Sequence, residues 1–140
     1  MAKKLSGQTV DQKARKALLK EVKEDGSALE HADKIFKADR EIVLAAVKSE
    51  GYGLEYADKS LRADREVVLV AIKNSYGRAL EYADKALKAD REVVLSAVEQ
   101  NGSNFEHSAK SLRADREVVL ATVKVNGYAL RYADKALKAD

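Results

Sequence analysis

The sequence predicts an all-α fold: a short α-solenoid of five stacked helical hairpins, wound as a right-handed superhelix. Three observations predict it. One phrase returns about every 25 residues, starting at Asp39, Asp64, Asp90 and Asp115: Asp-Arg-Glu, an apolar block, a Gly, then a segment of the form Leu-x-Tyr-Ala-Asp-Lys. A looser fifth copy runs from Ala14 to Ala38. Each copy carries helix caps and helix-period apolar stripes rather than strand alternation. Self-similarity at a fixed short period marks an array in which each unit buries its apolar face only against its neighbours.

Taken in order, residues 1–13 form an N-terminal extension and the start of the first helix. Met1 to Val10 contains Lys3 and Lys4 but no apolar run behind them, so it does not read as a signal peptide. The first helix is expected to start at Thr9, with Gln12 completing a capping box. The repeats then occupy 14–38, 39–63, 64–89, 90–114 and 115–139 of a single domain, 14–140. In the first, Lys16 and Glu21 replace the Glu and the small residue (Ala46, Ala71, Ala97, Thr122) of the later copies, giving the polar outer face of a capping repeat.

The second repeat shows the logic of all. Asp39 suits an N-cap, and Glu41 puts negative charge in the first turn, where the helix dipole favours it. Ile42, Val43, Leu44, Ala46 and Val47 are apolar on more than one face, as in a helix packed on both sides. Gly51 is expected to end that helix in a left-handed conformation, as are Gly26, Gly77, Gly102 and Gly127. Leu54, Ala57 and Leu61 then form the stripe of a full second helix, supported by the i,i+4 pairs Glu55–Lys59 and Asp58–Arg62. The third repeat has one extra residue near Asn74-Ser75-Tyr76, in the turn, where insertions are tolerated. In the last repeat Ala129, Leu130, Ala133, Ala136 and Leu137 read like an internal copy. The side facing a sixth repeat is therefore expected to be bare. Self-association through 128–140, or continuation into further repeats, would follow.

Composition narrows the function. Apolar residues make up 46% of the 140, enough for a core, and with aromatics at 6% that core is Leu, Val and Ala. The 26 basic and 23 acidic residues give +3, a balance that disfavours a dedicated polyanion binder. There is no Cys, which removes disulfides and thiolate chemistry, and no window has the roughly 18 apolar residues of a membrane span. A soluble cytoplasmic protein is expected. No cofactor, metal or catalytic residues are expected, so the chain reads as a non-enzyme. His31 and His107 occupy one column three repeats apart, on the order of 30 Å for stacked helices, too far to share a metal.

The phrase from Asp115 to Ala133 resembles the unit D-R-E-V-V-L-x-A-V-x-x-N-G-x-A-L-x-Y-A of an uncharacterised family of tandem helical repeats. The likeness covers 39–139 well and 14–38 loosely. It implies stacked helical repeats and brings no catalytic residues. Unit length and first helix are also similar to the variant leucine-rich repeat, whose second segment is Pro-rich and tighter. This chain has no Pro, so the second segment is expected to stay a full helix.

Three features bear on binding. His31, Tyr56, Tyr82, His107 and Tyr132 form a ring column that reads either as half-buried spacers or as a base-stacking ladder. Three columns are basic: Arg15, Arg40, Arg65, Arg91 and Arg116; Lys34, Lys59, Lys85, Lys110 and Lys135; and Lys37, Arg62, Lys88, Arg113 and Lys138. They are expected to join the neighbouring acids in an ion-pair ladder, with a phosphate track as the alternative. Finally, the copies vary around the turn, at Ser49, Tyr52, Asn74, Tyr76, Arg78, Gln100, Ser103, Val125 and Tyr128. A uniform scaffold with a variable rim is how repeat proteins present binding surfaces. The expected function is a scaffold that binds a protein partner. Single-stranded nucleic acid along the Tyr and basic columns is the second reading, and no membrane partner is expected.

Overall fold

The computed structural model describes residues 4–5 and 8–138, and the side chains of 11–135 and 137. A two-residue β ladder pairs β1 (Lys4–Leu5) with β2 (Gln8–Thr9) ahead of the array. Everything after it is helical. Five long helices, α1 (Val10–Glu24), α3 (Arg40–Ser49), α5 (Arg65–Lys73), α7 (Arg91–Gln100) and α9 (Arg116–Val125), pack each on the next. After each comes a 3-10 segment: η1 (Gly26–His31), η2 (Gly51–Tyr56), η3 (Arg78–Tyr82), η4 (Gly102–His107) and η5 (Gly127–Tyr132). A four-residue α-helix follows each of those: α2 (Lys34–Lys37), α4 (Lys59–Arg62), α6 (Lys85–Lys88), α8 (Lys110–Arg113) and α10 (Lys135–Lys138). The chain is an all-helical tandem repeat.

The long helices start where their caps dictate. The carboxylates of Asp39, Asp64, Asp90 and Asp115 accept from the backbone N–H of Ile42, Val67, Val93 and Val118 at 3.3, 3.2, 3.2 and 3.1 Å. Such a cap stabilises a helix by about 1 kcal/mol. Helix α1 begins at Val10, one residue after Thr9; the expected capping box depends on the Thr9 side chain, which lies outside the described residues. Positions i, i+1, i+4 and i+5 of each inner helix are fully buried: Ile42, Val43, Ala46 and Val47 in α3, with Val67, Val68, Ala71 and Ile72 below them in α5. That stripe is wide because each long helix is covered by a neighbour on both sides.

The second segment is not the continuous helix expected. It is a 3-10 run, a break at Ala57 and Asp58 in extended backbone, and one α-turn. The cause is a hydrogen bond between repeats. A continuous helix would send the Asp58 N–H to Leu54; here it donates to the Lys37 carbonyl of the preceding repeat at 2.9 Å. The same bond recurs from Asp84 to Arg62 (2.9 Å), Ala109 to Lys88 (2.8 Å) and Asp134 to Arg113 (2.8 Å). These bonds tie the short helices into a lateral ladder, so backbone polarity is satisfied across the array instead of along the segment. The break also separates Glu55 from Lys59 and turns Asp58 to the Ser60 N–H (3.0 Å), so neither expected i,i+4 ion pair forms. The apolar stripe is nonetheless where it was expected: Leu54, Ala57 and Leu61 are all buried.

The glycines are also used differently. Among the described glycines only Gly77 takes positive φ (85°). Helices α3, α7 and α9 instead end on extended residues, Glu50, Asn101 and Asn126. Gly26, Gly51 and Gly102, which follow α1, α3 and α7, lie against the next repeat. A Cβ on Gly51 would stand 2.1 Å from the Ala71 carbonyl oxygen, and one on Gly26 2.3 Å from that of Ala46. Close approach of two backbones, rather than handedness, explains the residue there.

The two ends of the array differ as the sequence implies. Glu21 is exposed where Ala46, Ala71, Ala97 and Thr122 are buried, so the first repeat presents a polar outer face. At the other end Leu130 is 45% exposed, whereas Leu29, Leu54, Leu80 and Phe105 in the same column are fully buried. Val119, Leu120, Val123, Leu130 and Leu137 line an open apolar cleft of about 240 Å³ there.

Candidate functional site: a rim at the helix ends

Stacking puts the C-terminal ends of the long helices side by side, and the turns that follow are joined to each other. The Gly51 N–H donates to the Asn74 carbonyl at 3.0 Å, and the Gln100 side-chain amide donates to the Ile72 carbonyl at 3.0 Å. Of the nine variable positions, Ser49, Asn74, Tyr76, Arg78, Gln100, Val125 and Tyr128 are exposed; Tyr52 and Ser103 are half-buried. The rim is therefore a continuous surface strip. At its end the Arg131 guanidinium lies 5.2 Å from the centre of the Tyr128 ring, a cation–π contact that holds that ring in place.

Tyr76 stands out. It is the non-glycine residue with positive φ (54°) among those described, and its side chain is 80% exposed. The extra residue of the third repeat produces this. Ser75 turns inward, 1% exposed, and its hydroxyl accepts from the Ala79 N–H at 2.9 Å. Tyr76 is pushed outward as a result. The next repeat then clamps the bulge. Asn104, buried at 2% exposure, donates through Nδ2 to the Tyr76 carbonyl (2.9 Å) and to the Ala97 carbonyl (3.0 Å). Gly77 allows both its own positive φ and this approach, since a Cβ there would meet Asn104 Nδ2 at 2.2 Å.

Sequence reasoning placed Ser75 in the insertion but not its inward turn, and did not single out Asn104. A signal existed for Asn104: its column is otherwise Ala28, Gly53, Ala79 and Ala129, so a lone amide follows the insertion by one repeat. Asn104→Ala should leave the Tyr76 carbonyl without its partner, while the Ala97 carbonyl keeps the Asn101 N–H, and cost about 1–3 kcal/mol. Urea unfolding checks this, and a cost as small as that of an exposed site would remove the clamp.

At the opposite ends of the long helices the arginine column forms the expected ladder, running between repeats. Arg15 bridges Asp39 (2.7 Å) and Glu41 (2.7 Å); Arg40 bridges Asp64 (2.8 Å) and Glu66 (3.0 Å); Arg65 reaches Asp90 (3.5 Å) and Glu92 (2.5 Å). Arg91 makes no ion pair among the described residues. Hydrogen bonds from Arg15 and Arg40 hold the Asp39 and Asp64 carboxyls below the usual carboxylate range, against a smaller opposing effect of partial burial. With folded-state values depressed, the ladder's contribution is complete above the ordinary carboxylate pKa near 3.9 and is lost as pH falls through the depressed values. Arg40→Ala should cost less than ~1 kcal/mol at neutral pH, because these side chains are largely solvated. The cost should vanish in melts carried to about pH 2; a cost that persists there would mean Arg40 acts through packing.

The other two basic columns depart from expectation. Among the described side chains Lys34, Lys59, Lys85, Lys110 and Lys135, and Lys37, Arg62, Lys88 and Arg113, make no ion pair; the Lys138 side chain lies outside the described residues. The acids within a helical turn of them are spent on caps, as Asp58 and Asp84 are on the Ser60 and Ala86 N–H. In the ring column Tyr56, Tyr82, His107 and Tyr132 are half-buried and His31 is exposed. Burial, and then Glu30 and Glu55, push the Tyr56 phenol up.

No described helix is long and apolar enough to cross a membrane. No curated protein and no solved structure matches the chain. A family model does match, three times, over residues 18–62, 39–88 and 90–138, each match spanning about two of the repeats seen in the structure. The matches cover the array almost from end to end, and the chain therefore belongs to the family described as a domain of unknown function, DUF4116.

Proposed function

We propose that the stacked repeats form an α-solenoid whose function is to bind another protein, without catalysis, through the rim at the ends of the long helices. Tyr76 carries this reading. An aromatic residue at positive φ costs of order 1–3 kcal/mol, and such strain persists where surrounding structure holds it for a purpose. Here Ser75, Gly77 and Asn104 serve to hold it. The product is an exposed tyrosine, a residue type enriched among interface anchors. Tyr128 and Val125, 54% and 45% exposed, extend the same strip. The core positions hardly vary between repeats while the rim does, as in a scaffold whose specificity lies at its edge.

The test replaces Tyr76 by Gly. Relief of the strained backbone should leave stability unchanged or raise it by up to ~1 kcal/mol, since the ring is not buried. Nuclease-treated pull-downs from the native host should then lose the proteins that crosslink to a photoreactive residue placed at position 76. Retention of the same proteins by Tyr76→Gly, or crosslinking equal to that from a probe at Ala63, would reject the rim as the binding surface.

A further inference from the structure

We propose that the edge formed by the four-residue helices α2, α4, α6, α8 and α10 binds single-stranded nucleic acid, with phosphates held by Lys34, Lys37, Lys59, Arg62, Lys85 and Lys88. This surface is distinct from the rim and does not depend on it.

The near balance of charge over the chain hides a separation in space. Arg15, Arg40 and Arg65 of the arginine column are neutralised by the carboxylates they bridge, Asp39, Glu41, Asp64, Glu66, Asp90 and Glu92. The short-helix edge is not. Open clefts recur there between successive repeats. The first, about 380 Å³, is lined by Lys34, Lys37, Lys59 and Arg62 against a single carboxylate, Asp58. The second, about 260 Å³, is lined by Lys59, Arg62 and Lys85 against Asp84. Adjacent clefts share cations, so the strip of positive charge is continuous and not a set of isolated spots. Such a strip follows a polyanion's backbone and raises the local concentration of its phosphates.

Two further observations point to a ligand. The Nε of Arg62 and of Arg113, equivalent residues two repeats apart, are buried with no hydrogen-bond partner. A guanidinium donor without an acceptor is costly, and a phosphate oxygen in the cleft beside it would supply one. Two of the clefts also include a residue of the ring column: Tyr56 lines the first, and Tyr132 lines a third of about 560 Å³. Cationic tracks interleaved with one ring per unit are the means by which single strands are bound through phosphate and base together. Stacked helices are roughly 8–10 Å apart, a spacing at which helical repeats take one base each.

The acids near the rings set the chemistry. Glu30 and Glu55 near Tyr56, and Glu106 in the third cleft, repel phosphate but accept hydrogen bonds from base N–H groups, the ring N–H of uracil included. An acidic peptide offers only its backbone N–H groups as donors, and its carboxylates would be repelled by these glutamates. A nucleic acid satisfies both sides, with phosphates toward the lysines and base edges toward the glutamates. A duplex keeps its base edges paired and its backbones too far apart for the strip.

Fluorescence anisotropy with a labelled 20-nucleotide oligo(U) tests the proposal on the intact chain. Binding at low salt should weaken with a log–log salt slope of about −3, as for about four neutralised phosphates. Lys59→Glu with Lys85→Glu should weaken it at least about tenfold, while Lys48→Glu with Lys73→Glu, on the exposed ends of α3 and α5, should change it less than about threefold. Circular dichroism verifies that both pairs stay helical. Absence of oligo(U) binding at low salt, equal loss in the two pairs, or equal binding of a same-length poly-glutamate or duplex would overturn the assignment.

Discussion

Gly51→Ala is expected to destabilise the array by about 3 kcal/mol, and Gly127→Ala to change it by less than about 0.5 kcal/mol. The two glycines occupy the same column. Neither has positive φ, so backbone conformation does not separate them. Surroundings do. A Cβ on Gly51 would lie 2.1 Å from the Ala71 carbonyl oxygen and 2.8 Å from the Asn74 backbone carbon, two atoms of the next repeat that cannot move without opening the junction. The Gly51 N–H also donates to Asn74, so relief by sliding the repeats apart would lose that bond. A Cβ on Gly127 meets nothing within 4 Å. Gly102→Ala should fall between them, since its nearest contact is the movable Asn126 side chain at 2.6 Å while the Ala129 N–H at 2.9 Å is fixed. Chemical unfolding of the three variants decides the matter. Equal costs would mean that the glycines are required for conformation after all.

That contrast also shows what the sequence could and could not convey. The last four long helices were legible because each carries its own signals: an Asp whose carboxylate caps the third residue on, an acid in the first turn, and a wide apolar stripe. These are local, and they survive folding unchanged. The second segment misled because its fate is decided elsewhere. Nothing within Leu54–Arg62 announces that the Asp58 N–H will leave its own segment for the Lys37 carbonyl. The absence of Pro argued for a full helix, yet a proline is not needed to break one when a neighbour competes for its donors.

The candidate surfaces divide in the same way. Variation between copies identified the rim, because exposed turns are where a repeat departs from its siblings without loss of core. It did not reveal that one departure answers another. The insertion before Tyr76 and the amide at Asn104 are 28 residues apart in the chain but hydrogen-bonded in the fold. For the basic columns, helical spacing suggested acids within reach of every cation. Only Arg15, Arg40 and Arg65 are seen to reach them, in the next repeat, because the break at Asp58 redirects the nearer carboxylates to backbone donors. Charge counted along a sequence thus gave a balance that charge placed in space does not keep.

The same reasoning predicts a second large difference within one column. Leu80→Ala should cost about 2–5 kcal/mol, and Leu130→Ala less than about 1 kcal/mol. Both leucines stand three residues after the column's Gly, in a 3-10 segment that packs on its own long helix. Leu80 is fully buried because α7 of the following repeat also covers it; Leu130, with α9 beneath it, is 45% exposed. Removing Leu80 opens a cavity at a junction on which both flanking repeats depend, so the loss should spread along the array rather than stay local. Removing Leu130 takes away surface already half in water. Melts at several protein concentrations sharpen the result. A small, concentration-independent cost at Leu130 is expected of a bare end. A cost that approaches that of Leu80 as concentration rises would mean that a second molecule seats on Leu120, Val123 and Leu130, as apolar area at the end of an array invites. Leu120→Glu would then restore the small, concentration-independent value by keeping that molecule away.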